Sequence, residues 1–226
     1  MGFEKFKKKW NKFWMRYAGL SPSGRIAIRF ATWFAPPYKG RTYLAHITSK
    51  SYISPNATVF YNNIHLDGNV FIGERVVIYQ NGDDGHVSIG KGTHIHRDTI
   101  IETGFGGSLT IGDDTHIQPR CQFSAYLGSI HIGNSVQIAP NCAFYPYDHG
   151  FEPGDLIKKQ PLKTKGGILI DDDAWIGVGV IVLDGVRIGK GAVIGAGSVV
   201  MQDIPEGSVA VGSPARVVKY RREISN

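Results

Sequence analysis

The chain has 226 residues, 42% hydrophobic and 19% charged, which suits one domain with a buried core and a short appendage. Its formal net charge is +6, and its two cysteines form no CxxC pair, which argues against a disulfide scaffold or a zinc knuckle. The start lacks a sustained apolar run, so no secretory signal is expected and the expected compartment is reducing and cytoplasmic.

The charge is concentrated at the N-terminus. Residues 1–20 hold six Lys/Arg and one Glu, leaving only +1 for the rest of the chain. Phe3, Phe6, Trp10, Phe13, Trp14 and Tyr17 recur at helical spacing, and Lys5, Lys8, Lys9, Lys12 and Arg16 occupy the other faces. Two readings stay open for this basic, aromatic helix. It could lie on an anionic membrane surface, peripheral on its inner face, or it could be a cap packed on the protein body or on a partner subunit. Lysines interrupt it too often for a span. Phe6 stands where a myristoylation signal needs Ser or Thr. No basic patch continues into the body, so no nucleic-acid partner is expected. Residues 21–45 predict a second short helix around IAIRFATWF, stopped by Pro36-Pro37 and covering the open edge of the protein body.

From about residue 50 a different pattern takes over. Ile170, Ile176, Val182, Ile188, Ile194 and Val200 fall every six residues. The fourth residue after each of the first five is small: Ala174, Val180, Val186, Ala192, Ser198. The same beat occurs upstream as Ile89-Ile95-Ile101, Ile111-Ile117-Phe123 and Ile132-Ile138-Phe144. A period of six fits neither an amphipathic helix nor a two-faced strand. It fits a three-sided coil with one short strand per side, stacked on its neighbours at ~4.8 Å. The aliphatic and the small residue point inward, and the Gly or Asp following the aliphatic is expected to turn the corner. The extra residues between sets are expected to bulge from one corner. Cys121 and Cys142 fall on inward positions and read as small core residues.

The longest break follows Phe144. Continuing the beat would bury the Asp148 carboxylate, so the chain is expected to leave the coil as a loop over 145–169. Long loops on rigid scaffolds are where function concentrates.

IAPN at 138–141 with His149 eight residues after Asn141, DDAWIG at 172–177, IGAGSVV at 194–200 and GSPARVV at 212–218 occur in this order. With them the chain resembles the hexapeptide-repeat acetyltransferases of the galactoside, maltose and polysaccharide O-acetyltransferase type. The resemblance covers residues 50–218. It implies a left-handed parallel β-helix over that span, mainly β, with a helical segment at 1–49 and a tail at 219–226. It also implies a homotrimer with sites between subunits and acetyl-CoA as the acyl donor. His149 would act as general base, since imidazole can take the acceptor's proton and return it to the departing thiolate. Asp148 is the first choice to orient the ring and Glu152 the second. No Ser or Cys fits a nucleophile elbow, so direct transfer is expected, with backbone N–H groups stabilising the oxyanion.

The pantetheine arm would pass Trp175, Gly177, Val178, Ala196 and Gly197, and Arg216 and Lys219 would meet the phosphates. Gln118, Asn141 and Glu152 are the acceptor-side candidates. Relatives carry Thr-Lys where this chain has Met201-Gln202, and an Asn where it has Gln118. The expected activity is O-acetylation of a saccharide, such as a surface or lipid-linked polysaccharide precursor. An amino-sugar N-acetyltransferase, a serine acetyltransferase and a scaffold without activity are the alternatives. Among eight histidines, His94 and His116 share one repeat position and are expected to form a solvated stack, with no metal required.

Overall fold

The structure, a computed structural model, describes residues 2–82 and 84–221. The six-residue beat forms a parallel β-helix. Its short strands stack into a nine-stranded, a seven-stranded and a six-stranded sheet, which the chain visits in turn. One inward ladder shows how. Ile53, Ile72, Ile95, Ile117, Ile138, Ile176 and Ile194 lie in register on successive coils and all are buried. Burying such a side chain contributes roughly 1.5–3 kcal/mol. The small residues Ala174, Val180, Val186, Ala192 and Ser198 share that interior, as expected. So do Cys121 and Cys142, which are free thiols. Both give their S–H to backbone carbonyls, Cys142 to Gly177 at 3.1 Å.

The glycines correct one expectation. The left-handed corner lies three residues after the aliphatic, at Asp173, Gly179, Gly185, Gly191 and Gly197, with φ of 58°, 70°, 79°, 63° and 69°. Gly177, Gly189 and Gly195, directly after the aliphatic, do not turn it. A Cβ at Gly177 would stand 2.7 Å from the Ala196 amide nitrogen, and one at Gly189 would stand 2.6 Å from that of Glu206. These positions are glycine because the next coil passes too close for a side chain.

The extra residues all leave at the corner between the seven- and six-stranded sheets, between strands Val77–Asn81 and Val87–Ile89, Ile100–Gly104 and Leu109–Ile111, and Gln122–Ala125 and Ile130–Ile132. The longest excursion departs after Ala143–Tyr145 and returns at Ile168–Ile170. It contains a small hairpin, Asp148–His149 paired antiparallel with Leu162–Lys163. The buried Asp184 carboxylate pins its return by accepting from the Thr164 hydroxyl and the Gly167 amide, each at 3.1 Å, and from the Lys165 amide.

At the N-terminus, α1 (Gly2–Met15) and α2 (Pro22–Ala31) lead through two 3₁₀ stretches, Thr32–Phe34 and Tyr38–His46, to the first coil. Ser21 caps α2 by accepting from the Gly24 amide at 3.1 Å. Met15, Ile28, Ala31, Leu44 and Ala45 join Tyr52 and Ile53 in one core. Arg25 donates to the carbonyls of Ser54 and Pro55, each at 3.2 Å, which ties α2 to the coil. At the other end, where a tail was expected from residue 219, Arg216–Tyr220 is a strand antiparallel to Ser208–Val211. Residues 222–226 of the expected tail lie outside the described residues.

His94 and His116 stack, with ring centroids 4.6 Å apart and planes at 12°. The stack is solvated on one side only, which corrects the second half of that expectation: His116 is half-buried and His94 is buried. His46 covers it, its Nε2 3.2 Å from Nε2 of His94, and both His94 and His96 are buried. Burial first, and then neighbouring cationic groups, push both imidazoles down to about 4. An unfolded imidazole titrates near ~6.5. Between those values the unfolded chain binds more protons, so these two groups favour unfolding as pH falls. Stability in urea should therefore hold between pH 8 and 7 and then drop by up to about 4 kcal/mol for the pair on reaching pH 5, about 2 kcal/mol for each imidazole, since one unit corresponds to ~1.4 kcal/mol. A His94→Gln/His96→Gln variant should show a flatter profile. An equal drop in that variant would show that other groups cause it.

Candidate active site

The rigid coil ends at Tyr145, and four residues later the excursion carries His149 on the outer strand of its hairpin. His149 is exposed. Among the described residues no hydrogen bond reaches its imidazole. The ring opens into a cavity of about 360 Å³ shared with Asp148, Phe151, Lys165, Leu183, Asp184 and Met201. Asp148 lines this cavity without bonding to the ring. Glu152 is engaged elsewhere, its Oε1 accepting from Lys163 Nζ at 3.2 Å. Neither carboxylate orients the imidazole in this single chain.

Lys165, Leu183 and Met201 were absent from the sequence candidates, although a signal for Leu183 existed. Stacking by register places Leu183 beside Tyr145, so the residue after Val182 had to lie under the point where the loop departs.

Trp175 is placed differently. It is 56% exposed and sits in an outward ladder Gln137–Trp175–Val193–Val209–Lys219 on the nine-stranded sheet. With Lys219 it lines a groove of about 1230 Å³ that also includes Lys190, Glu206, Tyr220 and Arg221. Arg221 donates to Asp173 Oδ2 at 3.1 Å and to the Gly191 carbonyl at 2.9 Å. Arg216 lies on the same final strand and donates to Gln202 Oε1 at 3.3 Å.

Val178, Ala196 and Gly197 form a third patch. They are exposed at successive corners, where the Gly197 amide donates to the Val178 carbonyl at 2.8 Å. Open space surrounds the Cα of Gly179 and of Gly197. Gly177 is buried beneath the next coil.

The acceptor-side candidates are not gathered either. Asn141 holds the equivalent corner one coil earlier, with φ 63°, and accepts from Arg120 Nε at 2.8 Å. That is a structural duty. Gln118 is half-buried at the edge of the nine-stranded sheet, its carbonyl accepting from the Cys121 thiol at 3.2 Å. The candidates thus fall into separate patches on one chain: His149 with Asp148, Trp175 with Lys219, and the Val178–Ala196–Gly197 corner.

Residues 167–202 match the family model described as bacterial transferase hexapeptide (six repeats). The protein named "Probable acetyltransferase Rv3034c", from Mycobacterium tuberculosis, is 38% identical over 155 residues, covering 69% of this chain and 51% of that protein. A 2,3,4,5-tetrahydropyridine-2,6-dicarboxylate N-acetyltransferase from Staphylococcus aureus is 46% identical over 59 residues, 26% of this chain and 25% of that enzyme. The chain therefore spans about half the length of one curated relative and a quarter of the other. Among solved structures, the polySia specific acetyltransferase NeuO superposes with a TM-score of 0.62 at 26% identity, over 76% of each chain. AntD, an N-acyltransferase from Bacillus cereus, superposes at 0.58 and 20% identity over 74% of this chain and 92% of that one, a likeness of fold alone. Three-sided coils, corner spacing and the matched repeats converge: this chain is built on the bacterial transferase hexapeptide repeat and is similar to acetyltransferases that share its fold.

Proposed function

We propose that the protein transfers an acetyl group from acetyl-CoA to a hydroxyl of a saccharide, with His149 as general base. The observation that carries this reading is the His149 ring itself. It is launched from a rigid coil, is free of any bond within the described residues, and opens into a cavity. In the reaction the acceptor oxygen forms a bond to the acetyl carbon as the carbon–sulfur bond breaks. The imidazole takes the hydroxyl proton and returns it to the departing thiolate. Among the described residues no Ser or Cys lines the cavity, which favours direct transfer over an acyl-enzyme.

The residues present fit the donor. The Trp175 groove gathers Lys190, Lys219 and Arg221, the charges that phosphates need. The open corners at Val178, Ala196 and Gly197 leave a strip of backbone that a thin pantetheine arm could follow. Gly177 serves by letting two coils close up beneath that strip, and Arg216 stands at its phosphate end. Because one chain keeps these patches apart, a second copy alongside it would be needed to join them. That supports the homotrimer with sites between subunits. Asp148, Gln118 and Glu152 then serve the acceptor side or the neighbouring subunit, and Asn141 holds its corner. A saccharide acceptor is favoured by the likeness to a polySia specific acetyltransferase.

The test is release of free coenzyme A with a panel of sugars, amino sugars and serine. Turnover on neutral or acidic sugars supports the proposal. Turnover confined to amino groups, or none with any acceptor, overturns it. Within the same assay, Ala196→Trp should weaken acetyl-CoA binding at least tenfold by calorimetry and leave the oligomeric mass unchanged, because its side chain would stand in the open strip. Unchanged affinity would show that the donor lies elsewhere.

A further inference from the structure

Helix α1 covers the coil with only part of its apolar surface, burying Met15 in the shared core. Its inward side carries Asn11, 3% exposed and hydrogen-bonded to the Tyr43 hydroxyl at 2.6 Å, and half-buried Lys7. Its aromatic side stays outside: Phe3 is 60% exposed, Phe6 48%, Phe13 49% and Tyr17 58%. Trp33, just after α2, is 69% exposed, and Ile26 on α2 is exposed as well.

The rings form one patch. Ring contacts run from Phe3 and Phe6 to Phe34, then to Trp10 and Trp14, where one branch reaches Phe13 and Tyr17 and another passes through Phe30 to Trp33. Trp10 and Trp14 anchor the array inward, Trp10 by donating from Nε1 to the Phe30 carbonyl at 2.8 Å. The outer rings are left for something else. A contiguous exposed apolar patch marks a binding surface.

Charge says which one. Lys5, Lys9, Lys12 and Arg16 are all exposed on the flank of α1 next to the aromatic strip. Across the helix a cavity of about 630 Å³ is rimmed by Lys7, Lys8 and Lys12. Packing this surface against a second copy of itself would set one basic helix against another. An anionic bilayer reverses that penalty: rings seat at the headgroup boundary while lysines meet lipid phosphates. No helix among the described residues is long and apolar enough to cross a membrane. We infer that the α1–α2 hairpin is an interfacial anchor that lays this protein on an anionic lipid surface.

Full-length protein would be sedimented with vesicles of phosphatidylcholine, with and without phosphatidylglycerol. The expected result is binding only when phosphatidylglycerol is present, weakened by salt as the Debye length shortens from ~10 Å at 0.1 M to ~3 Å at 1 M. Two variants separate the contributions. Phe6→Ser/Phe13→Ser/Trp33→Ser alters exposed rings only and should lower partitioning at least tenfold. Lys5→Glu/Lys9→Glu/Arg16→Glu should lower it more than about 100-fold, since each basic residue near such a surface multiplies partitioning about fivefold. Failure of the native protein to bind either vesicle overturns the inference, as does binding that ignores phosphatidylglycerol or survives both sets of changes. Loss of oligomeric mass in the ring variant, with no vesicle binding by the native protein, would assign the patch to a second copy instead.

Discussion

His149→Ala is expected to lower kcat by about 10²-fold or more, the usual contribution of a positioned base, while leaving the melting temperature and acetyl-CoA affinity close to native. The second half of the expectation is what makes the test sharp. The imidazole is exposed and bonded to nothing among the described residues, so truncating it removes no packing and leaves no buried group unsatisfied. The proposed donor patches at Trp175 and at Ala196 lie outside the hairpin that carries His149. Steady-state kinetics beside calorimetric binding would read both quantities. Turnover near native would refute the base assignment. Lost turnover with lost donor affinity would make His149 a binding residue. His149→Gln should be as slow as Ala, because an amide forms hydrogen bonds but cannot accept the proton at neutral pH.

The largest loss of stability is expected from Phe144→Ala, about 3–5 kcal/mol, the range for removing a buried aromatic ring. Phe144 stacks on Phe123 with centroids 4.7 Å apart and planes at 3°, both fully buried. They belong to an inward ladder of Ile101, Phe123, Phe144, Val182 and Val200. The hole cannot close easily, because the coils above and below are held by hydrogen bonds such as Gln122 N–H to Cys142 and Ala143 N–H to Val180, each at 2.9 Å. Phe144 also precedes Tyr145, the last strand residue before the loop departs, so the damage should reach the base of the His149 hairpin. Urea denaturation would measure the loss, and Phe144→Leu should recover more than half of it. A loss below about 1.5 kcal/mol in the Ala variant would mean that the coils relax far more than a rigid stack allows.

Much of this molecule is legible in the order of its residues. A beat of six residues specifies a three-sided coil because each inward aliphatic must meet another directly above and below it, and a slip would turn Ile176 outward. Position alone therefore determined the inward set, the single corner that sheds insertions and the departure near Tyr145, where Asp148 could not be buried. The alternation of rings and lysines around α1 was equally plain from spacing.

Other features depended on packing between distant parts of the chain. The corner lies at Gly179 and Gly197 rather than at Gly177, because coil spacing, not local turn chemistry, decides which glycine must lack a Cβ. His94 and His116 stack as their shared register implies, yet His94 is buried because His46, nearly fifty residues earlier, folds against it. On α1, Phe3, Phe6, Phe13 and Tyr17 stay exposed while Met15 and Asn11 take the inner side, Asn11 against Tyr43. The site itself shows the same division. His149 could be singled out through the family resemblance carried by IAPN and the motifs after residue 170, but its surroundings could not. Lys165, Leu183 and Met201 approach it from three separate segments, and the Trp175 groove stands apart from it on the same chain. A repeat determines contacts between neighbouring coils, because they recur with the period. Which loop, cap or second copy completes a surface is settled only where chains meet in space.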